Sequence, residues 1–288
     1  MIDDFLTLPG RGRLAMRTWH AEAPGEPILA THGWLDNAAT FDLLAPLLPG
    51  RPLIAVDLPG HGLSDPRPGG MRYHTLDYLD DLFAVMDRLS PDRPLTLLGH
   101  SLGAGLSLLL AGCLPERVDR LVLIDGLGPL AAEPERFPEL TRQALESFRD
   151  QSGARRPVVS LEAAVQARRN GMTGPLSEQA ARRLCERSLE QGEDGQLYWR
   201  SDKRLRLPSL TRFSEAQVRA AIASVTAPVL CIHGDRGLPA LSPGYLERLQ
   251  GFRQVQVETL PGGHHLHLDD CPAQVAELIS VFLSSVKP

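Results

Sequence analysis

Residues 95–112 read LTLLGHSLGAGLSLLLAG, an apolar run that ends in Gly99-His100-Ser101-Leu102-Gly103 and continues as a helix-like segment. A G-x-S-x-G pentapeptide acquires meaning from its surroundings, and here a buried strand precedes it and a helix follows. The turn between them has to be very tight. Glycines two residues either side of the serine meet that demand, because a side chain at either place would collide with neighbouring backbone as strand reverses into helix. Such a corner lifts Ser101 Oγ above the strand end and leaves the Leu102 N–H free at a helix N-terminus, so a nucleophile and half of an anion site sit side by side. A chance match in a chain with 26 glycines, with Ser101 a mere N-cap, is the plainer alternative; the strand–turn–helix context favours the nucleophile.

Composition narrows the rest. The chain has 288 residues, 43% of them hydrophobic, which suffices for a large core in one big domain or one domain with an insertion. A formal charge of −5 gives no reason to expect nucleic acid or an anionic membrane as partner. No run approaches the roughly 18 apolar residues of a spanning helix, and the start, MIDDFLTLPGRGR, carries acids where a signal peptide carries positive charge. A cytoplasmic protein is therefore expected. Cys113, Cys185, Cys231 and Cys271 lie far apart with no C-x-x-C spacing, so they read as buried free thiols and not as a disulfide framework or zinc site. No internal repeat or low-complexity tract stands out.

Taken in order, residues 4–9 and 13–19 read as an antiparallel edge hairpin joined at Pro9-Gly10-Arg11-Gly12. Pro27-Ile28-Leu29-Ala30-Thr31 is a short buried strand ending in His32-Gly33-Trp34, with a helix expected through Leu48. Residues 52–57 form a second unit, followed by the loop LPGHGLSDPR and a helix over about 75–89. Residues 95–98 carry the serine turn, and 121–124 end at Asp125. Strands alternating with helices imply a mostly parallel α/β sheet wrapped on both faces.

The composition then changes. Residues 131–224 hold 16 lysines and arginines against 13 acids, a net of +3 that leaves −8 for the remainder. Helical spacing recurs over 138–150, 161–170, 177–191 and 214–224. Residues 228–232 and 254–260 resume the strands, and a helix over 272–283 closes the chain. A helical cap over 127–224, inserted into a core made of 1–126 and 225–288, is the expected organisation.

His32-Gly33-Trp34, the loop Asp57-Leu58-Pro59-Gly60-His61-Gly62-Leu63-Ser64-Asp65, Gly99 to Gly103, and Pro261-Gly262-Gly263-His264 occur in the order and at the strand ends found in the α/β-hydrolase family, which the chain resembles outside its variable cap. HGWLDNAATFD, the stretch Ser201 to Leu205 and LPGGHHLHLDDCPAQV look most like the serine hydrolase-like proteins of that family. The resemblance implies Ser101 as nucleophile and His264 as the base that takes its proton, since a serine hydroxyl is a poor nucleophile near neutral pH. His265 is expected to point away and His267 to brace the loop; a metal site at this histidine cluster would need a third ligand, and none is expected. No cofactor is expected either.

The acid is less plain. Members of the fold usually place it in the loop Ile232-His233-Gly234-Asp235-Arg236-Gly237, where the customary position holds Gly237, a departure from the pattern. Two candidates remain. Asp125 ends an apolar strand, must find a partner there, and preserves the order Ser–acid–His; Asp235, a turn residue or a partner of Arg236, is the runner-up. The Trp34 and Leu102 N–H groups are the expected oxyanion donors, with the Trp34 side chain available to floor the pocket. Asp57 and Ser64 are expected to hold a structural turn around His61. The implied activity is hydrolysis of a small or medium carboxylic ester or related acyl compound. C–C bond cleavage or a lyase reaction with the same Ser/His pair, or a ligand-binding protein without catalysis, are the alternatives. The cap arginines, Arg155-Arg156, Arg168-Arg169 and Arg182-Arg183, read as solvated faces paired with nearby Glu or as attractors of an anionic substrate.

Overall fold

The computed structural model describes residues 1–149, 155–171, 175–238 and 243–285. Strands β1 (Ile2–Leu8) and β2 (Gly12–Trp19) form the expected antiparallel edge hairpin. β3 (Ile28–Thr31), β4 (Leu53–Val56), β5 (Leu95–His100) and β6 (Val118–Ile124) follow. The antiparallel pair β7 (Leu189–Gln191) and β8 (Leu197–Trp199) stands apart, and β9 (Val229–Gly234) and β10 (Val255–Leu260) complete the set. The main sheet has eight strands in the order β1-β2-β4-β3-β5-β6-β9-β10, parallel from β4 onwards. β3, β5 and β9 have no exposed residue, as near-continuous apolar runs in a doubly covered parallel sheet require.

One face of the sheet is covered by α1 (Thr75–Leu89), α2 (Leu102–Cys113) and α6 (Glu215–Ser224), whose Leu82, Leu106, Val218 and Ile222 share a cluster with Leu97 and Leu121. α7 (Pro272–Ser284) covers the other, where Ile279 and Phe282 meet Leu98 and Ile232. The helix expected after His32-Gly33-Trp34 is instead two 3-10 turns, Ala38–Phe41 and Ala45–Leu47. Pro46 lacks the N–H that a continuing helix needs and its ring clashes with the preceding turn. The Asn37 side chain caps Ala39, and Asp57 Oδ1 takes the Ala38 N–H at 2.7 Å.

The segment after β6 contributes α3 (Phe137–Arg149), α4 (Leu161–Arg169) and α5 (Glu178–Ser188), close to the helical spacing of the sequence except that residues 189–191 leave the helix to pair with β8. Part of the expected helix over 138–150 ends at the undescribed Asp150. The helix α6, counted within the insertion from sequence alone, packs into the core cluster of the sheet. α4 and α5 have a small cluster of their own, built on Val165, Ala181 and Leu184. The four cysteines are free, but only Cys185 and Cys231 are buried as expected; Cys113, the last residue of α2, is exposed and Cys271 half-buried.

Polar bonds fasten this smaller cluster to the core. Asn37 Nδ2 donates to Leu184 O at 2.9 Å and Ser188 Oγ at 2.8 Å, and Tyr73 OH donates to Asp202 Oδ2 at 2.8 Å. Arg187 of α5 donates from Nε to the fully buried Asp57 at 2.9 Å and from a terminal nitrogen to Asp3 at 2.8 Å. Burial pushes the Asp57 carboxyl above its usual range, and Arg187 with the Leu63 and Ala38 N–H groups only partly offsets that. Removing one partner of a buried pair strands the other charge. Arg187→Met is therefore expected to cost about 3–5 kcal/mol of stability in urea unfolding at neutral pH, far more than removing the exposed Arg136, whose pairing with Glu139 lies in water.

Candidate active site

The corner after β5 has the strain its sequence implies. Ser101 sits at φ +54° and ψ −114°, a left-handed backbone rarely adopted by a residue with a side chain, immediately before α2. A side chain at Gly99 would lie 2.5 Å from Ala104 Cα, and one at Gly103 would run into the carbonyl of Thr31, so both glycines are steric requirements. The Ser101 N–H donates to Ile124 O at 3.1 Å and the Gly103 N–H to His32 O at 3.0 Å, tying the corner to β6 and to the His32-Gly33-Trp34 turn. Leu102 opens the helix, where an N–H has no intrahelical acceptor. Trp34 belongs to the neighbouring turn, closed by the Asp36 N–H donating to Gly33 O at 3.1 Å. Its indole is also tied down. Nε1–H donates to Leu205 O at 3.0 Å, fixing the ring to the segment after β8.

Asp125 ends β6 with φ +42° and is wholly buried. Its Oδ1 accepts from the Gly234 N–H at 3.0 Å and its Oδ2 from the Leu238 N–H at 2.8 Å. Oδ2 also accepts from His264 Nδ1–H at 2.6 Å. Burial pushes this carboxyl up, but the bonds from His264 and the two backbone N–H groups outweigh it and hold the group below its ordinary value. Since Nδ1 carries the proton, the free lone pair of His264 is on Nε2. Burial drives the His264 imidazole below its ordinary value of 6.5 despite the opposing pull of Asp125, so it is neutral at pH 7.

Asp235, the other candidate, is exposed and engaged elsewhere: its Oδ1 accepts from the Gly262 N–H at 2.9 Å and from Arg236 at 3.2 Å. It props the loop that carries His264 and does not touch the ring. The departure at position 237 has a steric cause. A Cβ on Gly237 would fall inside the space filled by the Asp125 carboxylate.

The serine corner and the histidine loop meet through His100, whose Nε2–H donates to the His264 carbonyl at 2.9 Å with ring centroids 4.6 Å apart. Among the described residues Ser101 Oγ and His264 form no hydrogen bond; such bonds often tighten only with substrate in place. His267 braces the loop by bonding Thr40 Oγ1 at 3.0 Å, and His265 turns to Asp36, Nε2 to Oδ2 3.1 Å. His61 is buried with Nδ1 3.2 Å from Pro59 O, and desolvation depresses its pKa to about 3. Ser64 Oγ donates to the Asp57 carbonyl at 2.5 Å, so this loop is the structural turn expected of it.

Sequence reading missed Asp36. Its carboxylate is buried among His265, His100 and Arg168 of α4, which bonds Oδ1. Burial pushes Asp36 up, yet the charges of His265 and Arg168 hold it well below the usual carboxylate range. The donor atoms of Asp36, His100 and His265 lie within 4.8 Å of one another, a spacing metal ligands adopt. The guanidinium of Arg168 already supplies the countercharge that a cation would bring, so this set does not suit a resident metal. Of the other cap arginines, Arg155 pairs with Glu190 at 2.7 Å and Arg182 with Glu178 at 3.4 Å, the bland arrangement anticipated for them.

A family model described as the alpha/beta hydrolase family matches residues 28–278. The chain belongs to that family. A probable serine hydrolase of Drosophila melanogaster is 34% identical over 277 residues, which cover 92% of this chain and 83% of the relative. Among solved structures, a hypothetical protein of Pseudomonas aeruginosa is 39% identical with a TM-score of 0.91, over 98% of this chain and 99% of that one. The thioesterase domain from the curacin biosynthetic pathway is 26% identical with a TM-score of 0.84, over 97% and 99% of the two chains. Relatives named serine hydrolase-like proteins fix the subgroup that the short motifs had implied. No helix among the described residues is long and apolar enough to cross a membrane.

The crowding at Gly237 gives a direct test of how the acid is held. Gly237→Ala is expected to push Asp125 off His264 and to slow labelling of Ser101 by a fluorophosphonate about 100-fold, the scale of an ångström's misplacement, with the far-UV circular dichroism unchanged.

Proposed function

We propose that this protein is a serine hydrolase that cleaves a small or medium carboxylic ester, or a related acyl compound, through an acyl-enzyme. The observation that carries this reading is the 2.6 Å bond between His264 Nδ1 and the buried Asp125, beside a serine held in a strained turn. In the proposed first step His264 Nε2 takes the Ser101 hydroxyl proton as Oγ attacks the substrate carbonyl. The oxyanion develops between the Leu102 N–H and the Trp34 N–H, both fixed by backbone and so needing no reorganisation. Collapse expels the alcohol, which receives the proton from His264. Water then enters, gives a proton to the same nitrogen and attacks the acyl carbon; the carboxylic acid leaves and Ser101 recovers its hydrogen. Asp125 keeps Nδ1 protonated and steadies the imidazolium in both halves.

The neighbours support the acyl chemistry at a coarser level: one is named a probable serine hydrolase and another a thioesterase domain. An aspartate at the corner would have suggested an alkyl-enzyme ester instead; a serine suits an acyl carbon. C–C cleavage and lyase reactions draw on the same pair. A panel of p-nitrophenyl esters of rising chain length separates turnover from mere binding. Turnover lost in both Ser101→Ala and His264→Ala supports the proposal, and saturable binding with no p-nitrophenol release overturns it.

Two further outcomes follow from the site's electrostatics. Asp125→Asn should lower kcat by about 10,000-fold, as expected when the base loses its orienting carboxylate, whereas Asp235→Asn should change it only severalfold. In the wild type, kcat/KM is expected to be level at neutral pH and to fall with unit slope in acid, with a midpoint under 6.5, because protonating His264 removes the acceptor for the serine proton.

A further inference from the structure

Asp36 contacts the residues that flank the serine and the histidine, and the helix that lies over them. Its Oδ1 accepts from Arg168 on α4. Its Oδ2 lies 3.1 Å from Nε2 of His265, the residue after His264, and 3.5 Å from Nδ1 of His100, the residue before Ser101. Its own N–H closes the turn that presents Trp34. The carboxylate is about as buried as any apolar core residue, and a guanidinium reaches in from α4 to pair with it beside His265.

The other side of the contact is also constrained. His100 Nε2–H donates to the His264 carbonyl, and its Nδ1 faces Asp36 Oδ2 at 3.5 Å with no hydrogen-bond partner of its own. Arg168 bonds the opposite oxygen and anchors the buried carboxylate there. Without Arg168 the carboxylate loses that anchor and has to move, and a shift of Asp36 reaches the His264 backbone through His100 and His265.

We propose that Arg168 and Asp36 are a positioning pair for His264, so that the seating of α4 on the core sets how well the base is placed. The proposal rests on the serine hydrolase reading for its kinetic arm but not for its spectroscopic one. Neither residue reaches the reacting atoms, so both act through His265 and His100.

The kinetic arm uses p-nitrophenyl acetate. Arg168→Gln is expected to lower kcat at least tenfold with KM changed less than threefold, while Arg168→Lys recovers most of the loss and Asp36→Asn/Arg168→Gln is no slower than Asp36→Asn alone. Unchanged kcat in a folded Arg168→Gln protein overturns the proposal, as does a loss that appears only in KM. The spectroscopic arm follows the low-field proton of the His264–Asp125 bond by NMR without substrate. It should shift or broaden in Arg168→Gln and return in Arg168→Lys. If Arg168→Gln does not fold, the double variant, which leaves no stranded carboxylate, takes its place: a resonance identical to wild type in that protein would refute the idea. Failure of the wild type to turn over any ester rejects the reaction assigned above and leaves the NMR comparison intact.

Discussion

The carboxylate of Asp125 is the point at which three separate segments of the chain are brought to register. It leaves the end of β6, takes the N–H of Gly234 at the end of β9 and of Leu238 in the loop that follows, and holds an imidazole delivered by the loop after β10. A buried ion that forms one of these bonds without the others would cost more than it returns. The loops are therefore positioned by the need to satisfy one oxygen pair, and the histidine is fixed as a by-product of solving that problem. The parallel sheet makes this possible because β6, β9 and β10 are neighbours that all end on the same side.

A second family of buried charges joins the helical segment to the sheet. Asp57 with Arg187 and Asp36 with Arg168 each set an acid from the core against an arginine from α5 or α4. Both acids lie on loops at the carboxyl ends of strands, the same rim that carries Ser101 and His264. Contacts of this kind are specific in direction where apolar packing is not, so they define one seating for α4 and α5 over the site. The small apolar cluster under those helices is too limited to do so alone.

Much of this was legible in the amino-acid order and some was not. The serine corner was readable because its signal is local: two glycines, a serine and the apolar runs on either side lie within a few residues. Asp125 was readable because an acid ending an apolar strand demands a partner. The ion pairs were hidden, since Arg168 and Arg187 look like any arginine on an amphipathic helix and their acids lie more than 100 residues away. The helix expected after Trp34 failed on a signal that was present in the amino-acid order, Pro46, which removes a helical N–H. The hairpin that ends α5 was missed for the opposite reason. Leu189, Glu190 and Gln191 suit a helix well, and only their pairing with β8 makes them a strand.

The fit between Asp125 and Gly237 has a consequence for how such sites change over time. A side chain at position 237 would claim the volume that the Asp125 carboxylate fills, so this backbone cannot carry an acid at both positions. A carboxylate introduced at 237 would fit only together with a smaller residue at 125, which ties the two positions to change as a pair.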